Sequence, residues 1–284
     1  MKNLTSPAVI REILSKNSFN FSKSLGQNFL IDEEVLEKMI VNSEIDASSN
    51  VLEIGPGFGT LTQKLCMHAK NVVSVEIDST VIPILKENVS EFDNIKIINK
   101  DIMKTDISKL INDEFGNEKV KVAANLPYYI TTPIIMALIE PGLPVTDLTV
   151  MIQKEVAERI GAKPGNKSYG ALTVAVNFYA EPEIICTVAP SAFMPQPKVS
   201  SAVIRLKMRD KPAVEVKSTE KFFNVVRASF GQRRKTLLNA LANSSLLNIT
   251  KEETKRILSR AGIDEKRRGE TLSMREFADI ADLI

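Results

Sequence analysis

The sequence has no tryptophan, one histidine and two cysteines in 284 residues. A single histidine, His68, excludes His-rich metal sites, so no metal is expected, and it argues against a Ser-His-Asp triad. It reads as a surface residue near a helix end. Cys66 and Cys186 lie too far apart for a CxxC motif and make no disulfide framework. Both read as packing residues, and a reducing cytoplasm is the expected compartment. Long apolar runs are missing too. The longest is about seven residues, 133–139, where a membrane span needs about twenty. The opening MKNLTSPAVIREILSKN has no continuous apolar stretch and carries Glu12, so neither a membrane segment nor a secretory leader is expected. With 44% hydrophobic and 25% charged residues, the composition is that of an ordinary globular chain. The length allows one large domain or two modest ones. Chemistry must come from carboxylates, amides, hydroxyls, aromatics and a cofactor.

The net charge is only +2, but it is uneven. Residues 211–284 hold 15 Lys+Arg against 10 Asp+Glu, while the rest hold 22 against 25. A basic C-terminal part on a mildly acidic body suggests a polyanionic partner, although a solvated helical surface has the same signature.

Periodicity divides the chain in the same way. Ser6 and Pro7 open a helix over 7–17, with Ile10, Ile13 and Leu14 on one face. Asp32 caps a second helix to about Val41. Apolar strands at 50–54, 72–76, 95–100, 120–124 and 148–152 then alternate with helical segments, including 60–69 and 79–89. This alternation predicts a mainly parallel sheet with helices on both faces. Residues 169–179 are ambiguous and lean to helix. Two late strands, 184–188 and 203–207, flank a segment with Pro190, Pro195 and Pro197 that is read as irregular. From Ser218 onward the pattern is helical. Phe222, Val226 and Phe230 step at four residues, Gly231 interrupts, and Thr250-x-x-Glu253 and Ser273-x-x-Glu276 are capping boxes. Domains are placed at 1–210 and 211–284.

Strand ends line the ligand crevice in an open α/β sheet. Here they offer Glu53 with Gly55-Pro56-Gly57-Phe58-Gly59, then Glu76, then Asp101, then Asn125. The glycine turn admits a ligand against the backbone, and Glu76 stands where a ribose-binding acid is expected. These features fit NAD and S-adenosylmethionine alike. Glu53 reads as a supporting residue that hydrogen-bonds the loop backbone or nearby residues rather than the ligand. Asn125-Leu126-Pro127-Tyr128 is more specific. The Asn125 side-chain oxygen and the Leu126 carbonyl supply two acceptors for an exocyclic amine, and Tyr128 supplies a ring to stack on a flat base. Drawing both amine hydrogens out of the ring plane localises the nitrogen lone pair for attack on a methyl group. No strong base is needed, because the nitrogen sheds its proton as it becomes cationic.

The ordered set QNFL (27–30), EIGPGFGTLT (53–62), VEID (75–78), NLPYYITTP (125–133) and FMPQPKVSS (193–201) resembles the ribosomal RNA adenine N6,N6-dimethyltransferase family. FGQRRKTLLNAL (230–241) and KRRGETLSMREF (266–277) resemble its branch acting on small-subunit 16S rRNA. The resemblance runs from about residue 24 to the last residues. It implies a Rossmann-like S-adenosylmethionine-dependent methyltransferase domain on a mainly parallel seven-stranded sheet, with a small all-helical RNA-binding domain. It implies that Asn28 and Leu30 cover the methionine part of S-adenosyl-L-methionine and that Gly55 and Gly57 lie against it. Glu76 would hold the ribose, Asp101 the adenine amino group, and Ile77 and Ile102 would flank that ring. Asn125, Leu126 and Tyr128 would form the target pocket, with Phe193 stacking on the target's other face. The implied reaction places two methyl groups on each of two adjacent adenosines in a hairpin near the 3′ end of 16S rRNA. The implied partner is the small ribosomal subunit, as an immature 30S particle, met by a cytoplasmic monomer with a role in subunit biogenesis.

Arg227, Arg233, Arg234 and Lys235, with Lys266, Arg267 and Arg268, are the expected phosphate contacts. Three rival readings stand beside this one. A large-subunit rRNA adenine methyltransferase would share Asn125–Tyr128, but the C-terminal phrases oppose it. An NAD-dependent oxidoreductase explains the glycine loop and Glu76, but not Asn125–Tyr128. A non-catalytic assembly factor is opposed by the intact Asn125 and Tyr128.

Overall fold

The computed structural model describes residues 2–17, 19, 21, 26–116 and 118–284. Among the described residues nine strands run in chain order. They are β1 (Phe29–Leu30), β2 (Asn50–Ile54), β3 (Asn71–Glu76), β4 (Ile95–Asn99), β5 (Val120–Asn125), β6 (Val145–Gln153), β7 (Ala180–Val188), β8 (Phe193–Met194) and β9 (Ser201–Met208). Seven of them form one sheet in the order β4-β3-β2-β5-β6-β9-β7. The β2–β3, β3–β4, β2–β5 and β5–β6 pairs are parallel, and β9 runs antiparallel to β6. This is the mainly parallel sheet that the alternation predicts, with the seven strands that the family resemblance implies. Strand β2 is buried at every residue because a central parallel strand is covered on both faces. The chain moves outward from β2 through β3 and β4, then returns to β5 on the other side. The carboxyl ends of β2 and β5 therefore border the point where the order reverses, the usual position of a ligand crevice.

The chain divides into two compact units, Met1–Ala157 with Glu181–Met208, and Glu158–Ala180 with Arg209–Ile284. The sequence places one boundary near 210, whereas the contacts group Glu158–Ala180 with the C-terminal helices. Tyr169, Val174 and Phe178 explain this, since they share a core with Phe222, Phe277 and Leu258. The Phe178 and Phe222 rings stack at 4.8 Å. The ambiguous stretch is a helix, Ala171–Tyr179. The second unit also contains helices Thr219–Gly231, Leu237–Ala242, Lys251–Arg260 and Met274–Ala281. Both capping boxes form as read. Thr250 and Ser273 accept from the amides of Glu253 and Glu276, whose carboxylates return to the cap residues' amides.

Several elements depart from the sequence reading. Ser6 occupies the N-cap of helix Pro7–Lys16, but its side chain makes no capping bond. The helix expected from residue 79 starts at Ile82, because the Asp78 carboxylate captures the amide and hydroxyl of Thr80 and holds a turn there. Helices Ile107–Phe115 and Thr131–Leu138 were not anticipated. Pro133 masks the second, although proline is tolerated in a first helical turn. The proline-rich segment is partly regular. It holds a short 3-10 turn, Pro190–Ala192, followed by β8, which pairs antiparallel with β1.

Opposite the carboxyl ends of the sheet, Arg205 is buried with its Nε 2.6 Å from Asp147 and one terminal nitrogen 2.8 Å from Glu44. In the second unit, Gly269 crosses the backbone of helix Thr219–Gly231 so closely that a Cβ there would lie 2.7 Å from the Ser229 carbonyl oxygen. Neither backbone can give way cheaply. Gly269→Ala should cost about 1–3 kcal/mol and lower the thermal midpoint by several degrees. An unchanged midpoint would show that the crossing is loose.

Candidate functional site

The cleft at the carboxyl ends of β2, β3 and β5 has three walls. The first is the glycine turn after β2. Gly55 and Gly57 have φ of +67° and +57°, which L side chains rarely adopt. The Gly55 amide donates to the Val75 carbonyl at 3.0 Å, tying the turn to β3. A Cβ on Gly57 would lie 2.7 Å from the Phe29 ring, so the missing side chain is what lets the 26–30 segment close over the turn. Phe29 stacks on Phe58 with ring centroids 4.0 Å apart and planes within 3°.

Glu76 ends β3 and forms the second wall. Its Oε2 accepts from the Gly57 amide at 3.2 Å and its Oε1 from the Asp78 amide at 2.8 Å. Burial raises its pKa, against the lowering effect of those two amides. Ile77 lines the cleft although 45% exposed, an apolar side chain left open beside a carboxylate. Ile102 is buried and also lines it. Asp101 caps the short 3-10 turn Ile102–Lys104 through Oδ1, which accepts from the Met103 amide.

The third wall follows β5. Asn125 Nδ2 donates to the Asn28 carbonyl at 2.9 Å, so the amide is oriented with Oδ1 as its remaining acceptor. The Leu126 amide donates to the Met151 carbonyl, and its side chain is buried. Tyr128 and Ser201 share a hydroxyl–hydroxyl hydrogen bond of 2.6 Å, and burial raises the Tyr128 pKa. Ser201, fully buried at the start of β9, is a positioning residue that the sequence reading missed. Its only prior signal was membership of the FMPQPKVSS phrase. Asn28 and Leu30 line the same cleft. Asn28 turns its side-chain amide onto the Gly26 carbonyl at 3.0 Å.

The structure thus brings Asn28, Leu30, Gly55, Gly57, Glu76, Ile77, Asp101, Ile102, Asn125, Leu126 and Tyr128 to one cleft. Phe193 does not join them. Its position is a correction to the sequence reading. Pairing of Leu30 with Phe193 in the β1–β8 ladder carries the ring into the core, 2% exposed, with Met39, Val188 and Val203.

The expected phosphate contacts also divide. Arg227, Arg234, Lys235, Lys266 and Arg268 are exposed. Arg233 is committed within its unit. Its Nη2 donates to the Lys167 and Tyr169 carbonyls at 2.7 and 3.2 Å and lies 3.5 Å from Glu270. Arg267 is committed too, paired through both terminal nitrogens with Glu276, the capping-box acid, and bonded to Thr271. These two arginines hold the bundle together. His68 is exposed, as expected. Cys66 is a core residue whose burial pushes its thiol up to about 12, and Cys186 is half-buried. Among the described residues no His/Cys/Asp/Glu cluster could hold a metal ion, and no helix is long and apolar enough to cross a membrane.

Glu53 is buried at the end of β2, where one oxygen accepts from Thr62 at 2.8 Å and Ser74 at 2.6 Å. It supports the site through these two side chains and not through the loop backbone. Its other oxygen has no partner among the described residues. Desolvation outweighs the two hydroxyls and raises its pKa from 4.5 to about 7. The folded chain therefore holds this proton where the unfolded chain has lost it. Stability is full below about pH 4.5 and declines as pH rises towards 7, by up to about 3 kcal/mol. Glu53→Gln should remove that decline, which thermal midpoints measured from pH 5 to pH 8 will show. A variant slope equal to the parent's would place the titration elsewhere.

The sequence matches the family described as Ribosomal RNA adenine dimethylase over residues 18–283. It is 50% identical over 284 residues to the Ribosomal RNA small subunit methyltransferase A of Clostridioides difficile (strain 630), covering all of this chain and 98% of the relative. A namesake from Geobacillus thermodenitrificans (strain NG80-2) is 50% identical over 285 residues, covering 100% and 97%. Among solved structures, a dimethyladenosine transferase from Plasmodium falciparum superposes with a TM-score of 0.72 at 28% identity, over 89% of this chain and 95% of that one. The 23S rRNA methyltransferase ErmE superposes with a TM-score of 0.69 at 26% identity, over 90% and 99%. With a family match over nearly its whole length and the expected Rossmann-like sheet, the chain belongs to the ribosomal RNA adenine dimethylases.

Proposed function

We propose that this enzyme uses S-adenosyl-L-methionine to dimethylate N6 of two adjacent adenosines in the 3′-terminal hairpin of 16S rRNA, acting on the immature small subunit. The observation that carries the reading is the Asn125 amide. Its nitrogen is spent on the Asn28 carbonyl, so its oxygen faces the task of accepting from an amine. Small-subunit specificity rests on 50% identity to two small-subunit relatives, against 26% to the large-subunit enzyme. This reading implies the cytoplasm, where subunits are built.

The cleft fits the cofactor. Gly55 and Gly57 line it, Glu76 presents a buried carboxylate for ribose hydroxyls, and exposed Ile77 with Ile102 offers apolar faces for an adenine ring. Asp101, which lines the same wall, would accept from that ring's amino group. Asn28, Leu30 and Gly55 border the methionine end. The bound cofactor supplies an electrophilic methyl group. Asn125 Oδ1 and the Leu126 carbonyl would accept hydrogen bonds from the two N–H groups of the target amine, holding its lone pair away from conjugation with the base. Tyr128, pinned by Ser201, stacks on the base. As nitrogen bonds the methyl carbon, that carbon's bond to the sulfonium sulfur would break and leave a neutral thioether; charge appears on nitrogen only then, so the proton leaves an acidic ammonium for solvent and needs no strong base.

The exposed cations Arg227, Arg234, Lys235, Lys266 and Arg268 bind phosphates, and RNA shape supplies most of the selectivity. Arg234→Ala with Lys235→Ala should weaken small-subunit binding and make its salt dependence shallower by about one to two in slope, with unchanged cofactor affinity. Arg233→Ala should instead lower the melting temperature. Equal binding by the double variant and the parent would reduce these charges to a solvated face.

The direct test uses isotope-labelled S-adenosylmethionine with under-methylated small subunits or, separately, large subunits, followed by mass spectrometry of the digested RNA. N6,N6-dimethyladenosine from small subunits alone is expected. Label in large-subunit RNA would overturn the substrate, and no label in either would overturn the reaction. Asn125→Ala should reduce transfer by at least about 100-fold while subunit binding survives.

A further inference from the structure

An asparagine can serve as an acceptor for an amine only if its oxygen faces that amine. The two ends of the amide have nearly the same shape, and their order is set by hydrogen bonding. Turned over, Asn125 would present N–H groups to the hydrogens it must accept. Nothing in the Asn125 side chain prevents that. What prevents it is the Asn28 carbonyl, which takes a hydrogen from Nδ2 at 2.9 Å. Among the described residues Oδ1 accepts from nothing.

The Asn28 carbonyl is itself held at several points. Asn28 Nδ2 closes onto the Gly26 carbonyl at 3.0 Å, around a glycine with φ +60°. Gln27 Nε2 donates to Asp78 Oδ2 at 2.7 Å, and the Asp78 amide donates to Glu76. Phe29 stacks on Phe58, and β1 pairs with β8. Residues 26–30 therefore form a strap whose side chains reach the cofactor wall while one backbone oxygen reaches the target wall.

We propose that the Asn28 backbone carbonyl is a positioning group for methyl transfer. It fixes the polarity of the Asn125 amide, so that the strap, and not β5 alone, readies the pocket for an exocyclic amine. The inference rests on the adenine N6 reading above and adds a component to it. A net hydrogen bond of this kind biases the two amide orientations by roughly two- to tenfold, enough to register in kcat.

The test is Asn125→Asp, assayed with S-adenosylmethionine and under-methylated small subunits from pH 6 to pH 9. A protonated carboxyl reproduces the amide's pattern, with its O–H donating to the Asn28 carbonyl and its other oxygen accepting from the amine. An ionised carboxylate sets oxygen against oxygen. The variant-to-parent ratio of kcat should therefore rise as pH falls, by about tenfold per unit above the carboxyl's pKa. Glu53, Glu76, Lys100, Asp101, Tyr128 and Tyr129 line the cleft in both proteins and cancel in the ratio. A ratio that is flat, or that rises with pH, would overturn the proposal. If the variant fails to fold, replacing the Phe29 amide nitrogen by oxygen gives a second measurement. That change makes the Asn28 carbonyl an ester, a weaker acceptor. It should lower kcat about three- to tenfold with the cofactor dissociation constant within about twofold. An unchanged kcat would overturn the proposal equally. A parent enzyme that forms no dimethyladenosine ends the functional reading, whereas an active parent with a flat ratio ends only this inference.

Discussion

The stacking of Phe29 on Phe58 across a glycine that leaves room for it is the contact on which the site depends. It locks the strap at 26–30 onto the turn after β2. The lock has three consequences in one place. The Gly57 amide stays directed at Glu76, the Asn28 carbonyl stays directed at Asn125, and Leu30 stays paired with Phe193. Phe19 and Phe21 extend the ring cluster, with Phe19 edge-on to Phe58 at 5.1 Å. Ile10 and Ile13 of the first helix pack against the same group. A helix remote from the chemistry thereby gains a reason to be there, because its apolar face covers rings that hold the turn.

The second unit is organised by a different principle. Its core is aromatic and aliphatic, but its ends are tied by charge-assisted bonds to backbone carbonyls and capping acids. Arginine suits this because a planar fork can serve two acceptors at once. The segment KRRGETLSMREF, read as a basic phrase, is largely a joint. Arg267 clamps Glu276, Gly269 permits a backbone crossing, and Ser273 starts the last helix. Arg268 and Lys266 remain outside this joint and exposed.

Sequence and structure agree where one side chain or one period decides the outcome. β2 occupies the residues expected of it, because Val51, Leu52 and Ile54 are the apolar residues of a strand buried on both faces. The capping boxes are equally local, each written within four residues. The cleft was legible as a set of strand ends because topology forces those ends together. What escaped was non-local or carried by the main chain. A two-residue strand such as β1 has no period to detect. The burial of Phe193 follows from a partner more than 160 residues away. The internal use of Arg233 and Arg267 depends on acceptors that a list of charges does not contain. The Asn28 carbonyl leaves no trace in the sequence, since every residue has one. The helix at 107–115 is different. Asp106 and Gly116 mark its ends plainly, and the signals were present but unread.

The pairing of β1 with β8 also bears on how the protein is made. The glycine turn, Glu76, Asp101 and Asn125 all lie within the first 125 residues, yet the strap that faces them finds its partner strand only at Phe193–Met194. Closing that loop is the longest-range step in building the cleft, and its entropic cost grows with the length of chain between the paired strands. During synthesis, a chain halted before Met194 would carry most of the cleft's residues without the ladder that holds its front wall. Completion of the site's front wall is thereby coupled to the arrival of β8.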